Sequence, residues 1–347
     1  MTEDIHQRIS AMRVQFGNSL TIIGHHYQSD EIIRHVQISG DSLELSQKVA
    51  SIESENIIFC GVHFMAESAA LLARKGQKIF IPAHDANCVM AKMAPAALLD
   101  NIITKLNAHG KKVLPVAYVN TSLAVKAVVG NHGGTVCTSS NAAKIMRWAL
   151  RQDRQVLFLP DHNLGRNTAK LLGLTPAEQF VIDVRGQGAK PEALNQKLLL
   201  WPGQCAIHAR FRMEHVHALR KQYPGIKIAV HPECPPAIAD AADAAGSTSF
   251  LIRFAAEAPD KSVIAIGTEA NLVLRLAKQF QRQKTIIPLL ETRCSDMAKT
   301  TPQKLLDCLE SIAAQNGKFI PVRVAPELAA PARASLEKML ILCTEAK

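Results

Sequence analysis

The segment Thr21-Ile-Ile-Gly-His-His-Tyr-Gln28 is a short β-branched, apolar run that turns polar at its end. Two further segments have the same design, Val113-Leu-Pro-Val-Ala-Tyr-Val-Asn-Thr121 and Ile226-Lys-Ile-Ala-Val-His-Pro-Glu233. Short apolar runs bounded by polar residues are typical of buried parallel strands. The three segments therefore predict the first strand of three similar modules.

Each module also contains one cysteine, which is followed by a helix-like stretch that ends at a glycine. These stretches are of similar length, from Cys88 to Gly110, from Cys205 to Gly225 and from Cys294 to Gly317. The spacing from Ile22 to Cys88 equals that from Ile228 to Cys294, whereas the middle module is longer. Repetition at a domain-sized period indicates one supersecondary unit used three times. Coincidence in an alternating strand and helix chain is the competing interpretation.

Length and composition agree with a repeated α/β chain. The 347 residues suffice for two or three average domains, and 48% of them are hydrophobic. Aromatic residues make up only 5%, so Ala, Val, Ile and Leu must form most of the core, as suits helices packed on parallel strands. We expect three α/β repeats, at 1–110, 111–225 and 226–347, the last with a C-terminal extension.

The chain shows neither a secretion signal nor a membrane span. Its first residues, Met1-Thr-Glu-Asp-Ile-His-Gln-Arg8, include acidic side chains and no apolar core of a signal peptide. The sequence contains no run of about 18 apolar residues, which a membrane-spanning helix would need. We therefore expect a cytoplasmic protein. In that compartment the eight cysteines should be reduced thiols or metal ligands, because a disulfide framework would not persist.

The other five cysteines do not share the module position. Cys60 lies in a strand-like run, and Cys308 and Cys343 lie in helical patterns, so all three are expected to be small buried hydrophobes. Cys137 and Cys234 flank polar loop motifs, and their roles stay open. The sequence has no Cys-x-x-Cys pair, so zinc ribbons and two-cluster ferredoxin patterns are excluded.

The net charge of +10 and the isoelectric point near 9.3 favour an anionic partner. Nucleic acid is one candidate, because basic proteins gain affinity by releasing phosphate counterions. However, the basic residues are spread along the chain, and few aromatic residues are present to stack on bases. Small anionic substrates are the better interpretation, since a diffuse positive field raises their local concentration.

Polar residues at the ends of the predicted strands are the candidate site. In parallel α/β sheets, ligands bind outside the carboxyl ends of the strands. Loops after the second strands add hydroxyl groups, each of which is either a helix N-cap or part of a shared anion site. Buried histidine and glutamate side chains need polar partners and suit general acid and base chemistry. The strand-end residues are His25, His26, Tyr27, Gln28, Tyr118, Asn120, Thr121, Ser122, His231 and Glu233, and the hydroxyl loops are Gly40-Asp-Ser42, Thr138-Ser-Ser-Asn141 and Gly246-Ser-Thr-Ser249.

In this arrangement of motifs the chain resembles the quinolinate synthase family of de novo NAD biosynthesis. The resemblance covers essentially the whole chain, and so many motifs in one order exclude chance agreement. They are His25-His-Tyr-Gln28, Gly40-Asp-Ser-Leu43, Phe59-Cys-Gly-Val-His-Phe-Met-Ala-Glu67, Tyr118-Val-Asn-Thr121, Thr138-Ser-Ser140, Trp201-Pro-Gly-x-Cys205, His208, His231-Pro-Glu233, Gly246-Ser-Thr248, Gly267-Thr-Glu269 and Cys294 before Met297.

The resemblance implies three homologous three-layer α/β/α sandwich domains with short parallel sheets around a pseudo-threefold axis. It implies a [4Fe–4S] cluster held by Cys88, Cys205 and Cys294, so that the fourth iron has an open position and acts as a Lewis acid. The implied reaction condenses iminoaspartate with dihydroxyacetone phosphate to quinolinate, with loss of phosphate and two waters. Carried over by motif, the substrate-binding residues are His25, Ser42, Tyr118, Val119, Asn120, Ser139, His231, Pro232, Glu233 and Thr248.

Among these residues and their neighbours, Tyr27, Glu233 and His25 are the candidates for catalysis. The functional partner that the resemblance implies is L-aspartate oxidase, as source of the imine, and the protein is expected to be a monomer or homodimer that binds no nucleic acid. Two alternatives remain. One is a zinc-dependent lyase or hydrolase on an α/β scaffold, and the other is a non-enzymatic iron–sulfur sensor or basic nucleic-acid-binding protein.

Overall fold

The computed structural model describes residues 2–110, 112–185, 193 and 195–344. Over these residues the protein is α/β, with three short sheets whose strands are all parallel and are flanked by helices. The strands lie side by side in the same order in all three sheets. Numbered by their position in the chain, this order across the sheet is second, first, third and last. The predicted α/β class with three repeated parallel sheets is confirmed.

The described residues form two compact units. The first unit contains the first sheet, and the second unit contains the other two sheets. The three repeat boundaries expected from the sequence stay a prediction. The first unit is drawn from 1–88, 269–275 and 292–325, and the second from 89–268, 276–291 and 326–347.

The first sheet is built on buried aliphatic strands, as the sequence predicted. Ile22 in its central strand and Ile58 in the neighbouring strand are fully buried, and they pack with Leu305 and Leu309 from a later helix. This burial of continuous apolar runs is what parallel strands require, because helices cover both of their faces. The elements are α1 (Thr2–Phe16), β1 (Leu20–His25), α2 (Asp30–Ile33), β2 (Ile38–Gly40), α3 (Ser42–Val49), β3 (Asn56–Cys60), α4 (His63–Leu72), β4 (Lys78–Phe80) and α13 (Pro302–Ala314).

The second sheet explains why the middle module is longer. It has one additional strand at its edge, which precedes the last strand in the chain and pairs with it in parallel. The other four strands keep the common order. The elements are α5 (Ala96–Ala108), β5 (Val113–Tyr118), α6 (Leu123–Asn131), β6 (Thr135–Cys137), α7 (Ala142–Leu150), β7 (Gln155–Leu159), α8 (His162–Leu171), the additional strand β8 (Gln179–Val181) and β9 (Leu198–Leu200).

The third sheet encloses a core around Ile228, Val230 and Ala265, which are fully buried. A last helix, α14 (Pro326–Thr344), packs closely on α6 of the second module, where the carbonyl of Pro331 lies against Gly130. The elements of the third module are α9 (Met213–Gln222), β10 (Lys227–Val230), α10 (Pro236–Ala241), β11 (Ala244–Ala245), α11 (Thr248–Glu257), β12 (Val263–Gly267), α12 (Ala270–Phe280) and β13 (Thr285–Pro288).

The cysteines outside the module position are mostly buried. Cys60 and Cys308 are inaccessible, as predicted, and burial raises the pKa of the Cys60 thiol to about 12. The two cysteines left open, Cys137 and Cys234, are also fully buried. The prediction for Cys343 is wrong: it is only half-buried, because it lies in the last turn of α14. None of the described helices combines the length and apolarity needed to cross a membrane.

Candidate active site

In the first unit, the end of β1 presents a paired histidine and tyrosine. His25 is buried, and its ring meets the ring of Tyr27 edge-on, with 4.6 Å between centroids. The backbone N–H of Tyr27 donates to Nδ1 of His25 at 3.1 Å. Since Nδ1 accepts this bond, the neutral imidazole must carry its proton on Nε2. His25 is therefore set to donate a hydrogen bond from Nε2 to an anionic oxygen.

The loop after His25 is held by polar side chains from the start of α12. Asn271 donates from Nδ2 to the carbonyl of Tyr27 at 3.1 Å, and Arg275 donates to the carbonyls of His26 and Gln28. Because these bonds fix consecutive carbonyls, the backbone that presents the His25 and Tyr27 side chains has little freedom. The sequence motif identified the loop but not these supports, which come from a distant part of the chain.

The three hydroxyl residues matched by motif lie at the starts of helices, but none of them is the N-cap. Asp41 caps α3 ahead of Ser42, and Ser247 caps α11 ahead of Thr248. Asn141, not Ser139, occupies the N-cap position of α7. The capping interpretation is therefore wrong for Ser42, Ser139 and Thr248, while the neighbouring Ser247 does cap its helix through the N–H of Phe250.

In the second unit, the end of β10 carries a buried cluster of two imidazoles and one carboxylate. His231 and His208 stack with 4.5 Å between ring centroids and an interplanar angle of 15°. Oε2 of Glu233 lies 2.5 Å from Nδ1 of His208 and 3.5 Å from Nδ1 of His231. Each of these three residues is 2% exposed, so the charges interact in a medium of low dielectric constant.

The electrostatics of the cluster favour an ionised Glu233. Burial alone would raise the pKa of its carboxyl group, but the two imidazoles and a hydrogen bond from Tyr118 together hold that pKa at about 2. Asp161, also fully buried, experiences the opposite balance. Burial and the nearby Glu233 charge raise the pKa of Asp161 well above its ordinary value. The two carboxyl groups thus have pKa values displaced in opposite directions, as is common at functional sites.

Of the buried side-chain oxygens of the second unit that have no hydrogen-bond partner in the described part of the chain, two belong to predicted substrate-binding residues. They are Oδ1 of Asn120 and Oε1 of Glu233. Leaving such groups unsatisfied costs about 1–3 kcal/mol each, so native proteins keep few of them without a function. Hydroxyl or amine donors of a polar substrate would satisfy both oxygens.

Among the other predicted residues of the second unit, Val119 lies in the loop after β5, and Ser139 and Pro232 line one cavity. Val119 donates its N–H to the carbonyl of Cys137, which fixes the loop after β5. Ser139 and Pro232 line a cavity of about 460 Å³ together with Gly246. The structure thus groups Tyr118, His231 and Glu233 directly, and places Ser139 and Pro232 on a shared cavity wall.

Sequence reasoning assigned no role to His208, Asp161, Thr268 or Glu269. Thr268 Oγ1 lies 3.1 Å from Nε2 of His208, the ring nitrogen that does not face Glu233. Asp161 follows β7 and caps α8, and Glu269 follows β12 just before α12. An acidic or hydroxyl residue between a strand and a helix is the signal that would have indicated Asp161, Thr268 and Glu269, whereas no such signal marks His208.

The three cysteines of the module position differ from the buried ones. Cys88, Cys205 and Cys294 are all half-buried, whereas Cys60, Cys137, Cys234 and Cys308 are buried. Burial raises the pKa of Cys294, but backbone N–H groups of Met297 and Asp296 donate to its sulfur and counteract that rise. Hydrogen bonds to cysteine sulfur tune the iron–sulfur clusters that such cysteines ligate. Thiol side chains of this kind are suitable ligands for soft metal ions.

In the second unit, the thiol of Cys205 lies near an imidazole and a carboxylate that could also bind a metal ion. The candidate ligand atoms of Cys205, His208 and Glu233 all lie within 4.8 Å of one another. These residue types bind zinc and related divalent ions. These three side chains can therefore hold a metal ion.

Comparison with known proteins identifies the family. The sequence profile of the family described as Quinolinate synthetase A protein matches residues 7–341. The chain belongs to this family. It is 42% identical over 344 residues to the quinolinate synthase of Acidobacterium capsulatum, covering 96% of this chain and 92% of the relative.

Other members of the quinolinate synthase family give the same result. The enzyme of Corynebacterium glutamicum is 42% identical over 346 residues, covering 97% of this chain and 87% of the relative. The enzyme of Bacillus pumilus is 42% identical over 347 residues, covering 98% of this chain and 93% of the relative. The family resemblance found in the motifs is confirmed, and the chain is an enzyme of this NAD-biosynthetic family.

Proposed function

We propose that the enzyme condenses iminoaspartate with dihydroxyacetone phosphate to form quinolinate, phosphate and two waters. All atoms balance without an oxidant or reductant, so the chemistry consists of carbon–carbon and carbon–nitrogen bond formation, proton transfer and elimination. The family membership supports the reaction class. The observation that supports the site is the pair of buried oxygens, on Glu233 and Asn120, that lack a partner among the described residues.

We propose Cys88, Cys205 and Cys294 as the ligands of a [4Fe–4S] cluster. These three thiols are half-buried and share the module position, whereas Cys343, which is also half-buried, lies in the last helix outside that position. When bound, a cluster with three protein ligands supplies a Lewis-acidic iron with an open position, which can polarise a substrate carboxylate or a departing hydroxyl group. Reduced thiols of this kind agree with a cytoplasmic location.

Two imidazoles are proposed to bind the anionic groups of the substrates. In both His25 and His231, Nδ1 accepts the backbone N–H of the residue two positions later, at 3.1 Å from Tyr27 and 3.4 Å from Glu233. Each neutral ring must therefore carry its proton on Nε2, which can donate to a carboxylate or phosphate oxygen. The shared geometry indicates the same role for two residues of different modules. Ser42, Ser139 and Thr248, which do not cap helices, are proposed as further donors.

Glu233 and His208 are proposed to accept and return protons as a unit. A carboxylate whose pKa is about 2 is a weak base on its own at neutral pH. Its Oε2, however, lies 2.5 Å from Nδ1 of His208 and orients that ring, in the way that an aspartate orients a catalytic histidine. Glu233 Oε1 has no donor among the described residues and remains available for a substrate hydroxyl or amine. Tyr27 is the candidate for a second proton transfer, on the side of His25.

The experiment combines metal analysis with product detection. The protein is purified without oxygen, and its iron, sulfide and zinc are measured. About four iron and four sulfide per chain, together with quinolinate formed from iminoaspartate and dihydroxyacetone phosphate, would support the proposal. Zinc without iron would instead favour a lyase or hydrolase using Cys205, His208 and Glu233, whose ligand atoms lie close enough for one ion.

The supply of substrate is part of the same proposal. Iminoaspartate is unstable in water, so an amino-acid oxidase such as L-aspartate oxidase must generate it close in time to its use. Adding purified L-aspartate oxidase and aspartate should replace added iminoaspartate in the assay. Failure of this coupled assay, with success of direct imine addition, would exclude that supply route.

A further inference from the structure

An equivalent backbone hydrogen bond, which the sequence does not show, lies beside each of the three module cysteines. In each module the first residue of the helix after the third strand donates its N–H to the carbonyl two residues before the cysteine. The bond therefore ties every cysteine loop to a helix start at the same relative position. The three pairs are His63 with Ala86 at 2.8 Å, His162 with Gly203 at 2.9 Å, and Ala270 with Thr292 at 2.9 Å.

In the second module an N-cap carboxylate adds a second tie. Oδ1 of Asp161 accepts the N–H of Leu164 at 2.8 Å and so caps α8. Its other oxygen, Oδ2, accepts the backbone N–H of Cys205 at 2.8 Å. Asp161 is completely buried. One carboxylate thus joins the helix start to the cysteine itself.

The third module repeats this arrangement with a longer side chain. Oε2 of Glu269 accepts the N–H of Asn271 at 2.8 Å, at the start of α12. Its Oε1 accepts the N–H of Cys294 at 3.3 Å. Glu269 is 1% exposed. In the first module the corresponding position is occupied by Val62, so the side-chain tie belongs to two of the three modules.

We infer that Asp161 and Glu269 are positioning residues that fix the backbone of Cys205 and Cys294 and thereby orient two of the three metal-binding thiols. The inference rests on the proposed function only in treating these thiols as ligands. Both oxygens of each carboxyl group accept backbone N–H donors, whereas an amide offers one acceptor and one donor. Outer-shell contacts of this kind orient metal ligands and change metal affinity by about 10–100-fold.

The test replaces each carboxylate by its isosteric amide. Asp161→Asn and Glu269→Gln can keep the helix cap by turning the amide oxygen to the helix N–H, but then the amide NH₂ faces the cysteine N–H. Iron release to a chelator should become about tenfold faster or more in each variant. Thr301→Ala is the control. It removes an N-cap, on α13, that bonds the N–H of Lys304, and it should leave iron release unchanged.

A second measurement needs no cluster. In cluster-free protein the alkylation rate of each cysteine is followed by peptide mass spectrometry. Asp161→Asn should accelerate alkylation at Cys205 alone, and Glu269→Gln at Cys294 alone, with Cys88 as the internal reference. Equal acceleration at all three thiols, or no change in either measurement, would overturn the inference. If the unmodified protein binds no iron, the proposed cofactor fails, while the alkylation result still decides this inference.

Discussion

Replacement of Glu233 by glutamine tests whether the buried charge beside His208 is part of catalysis. The substitution keeps the shape of the side chain and removes one negative charge. Because Glu233 Oε2 lies 2.5 Å from Nδ1 of His208, the carboxylate holds that ring in its orientation. Glu233→Gln should therefore lower kcat while the protein still folds and binds iron.

The expected loss of turnover follows from the proposed role of Glu233 in proton transfer. Loss of a group that acts in proton transfer lowers turnover by about 10²–10⁴, which corresponds to about 3–5 kcal/mol in the activation free energy. Stability should also fall. The pKa of Glu233 is lowered from 4.5 to about 2, and such a shift corresponds to about 3 kcal/mol favouring the ionised group in the folded protein at neutral pH.

The sign of the pH dependence follows from linkage. A carboxyl group with a depressed pKa contributes its stability above the unfolded value of 4.5 and loses it as pH falls towards 2. The difference in unfolding free energy between the unmodified protein and Glu233→Gln should therefore be largest near neutral pH and shrink between pH 4.5 and 2. Urea denaturation at several pH values measures it.

Turnover is measured as quinolinate released under anaerobic conditions, with iron content determined on the same samples. Glu257→Gln, an exposed position on α11, is the matched control and should behave as the unmodified protein. Turnover of Glu233→Gln within about threefold of normal, well short of the loss expected for a proton-transfer group, would refute the role in proton transfer. A stability difference that does not change with pH would show that the charge of Glu233 is not what stabilises the cluster of side chains.

Three further outcomes are expected. Cys294→Ser should abolish bound iron and quinolinate formation, whereas Cys308→Ser should cost stability alone, and retained iron with turnover in Cys294→Ser would contradict the ligand assignment. Burial, followed by nearby positive charges, lowers the pKa of His35 to about 4, so the stability from its neutral form is present above pH 6.5 and lost as pH falls to 4. His35→Gln should therefore flatten urea denaturation midpoints over that interval, and an equally steep loss would exclude His35 as the cause. Gly130→Ala would place its Cβ 2.0 Å from the carbonyl oxygen of Pro331, so it should lower the unfolding free energy by about 1–3 kcal/mol, and an unchanged midpoint would show that the helices separate freely.

The sequence predicted those structural features that depend on residues close together in the chain. The apolar runs that begin near Thr21, Val113 and Ile226 predicted the first strand of each sheet, since buried parallel strands need continuous aliphatic residues. From the sequence, the module cysteines were distinguished from buried cysteines such as Cys60, and in the structure they are half-buried whereas Cys60 is buried. These features depend on neighbours within a short stretch of chain.

The supports of the site could not be predicted in the same way. His208 approaches Glu233 from the segment that precedes α9, and Asn271 of α12 bonds the carbonyl of Tyr27, which lies 244 residues earlier in the chain. Pairings of this kind depend on how the modules fold, and no residue type signals them by itself. The pKa of Glu233 was likewise beyond sequence reasoning, because it results from a balance between burial and two imidazoles.

The backbone bond that ties each cysteine loop to a helix start bears on how such a protein diverges. The three pairs include His63 with Ala86 and Ala270 with Thr292, in which donor and acceptor positions carry different residue types. A main-chain bond tolerates almost any side chain, so selection can preserve the place of a thiol while the surrounding sequence drifts. An ancient duplication could then persist in the path of the chain long after alignment of the copies had lost it.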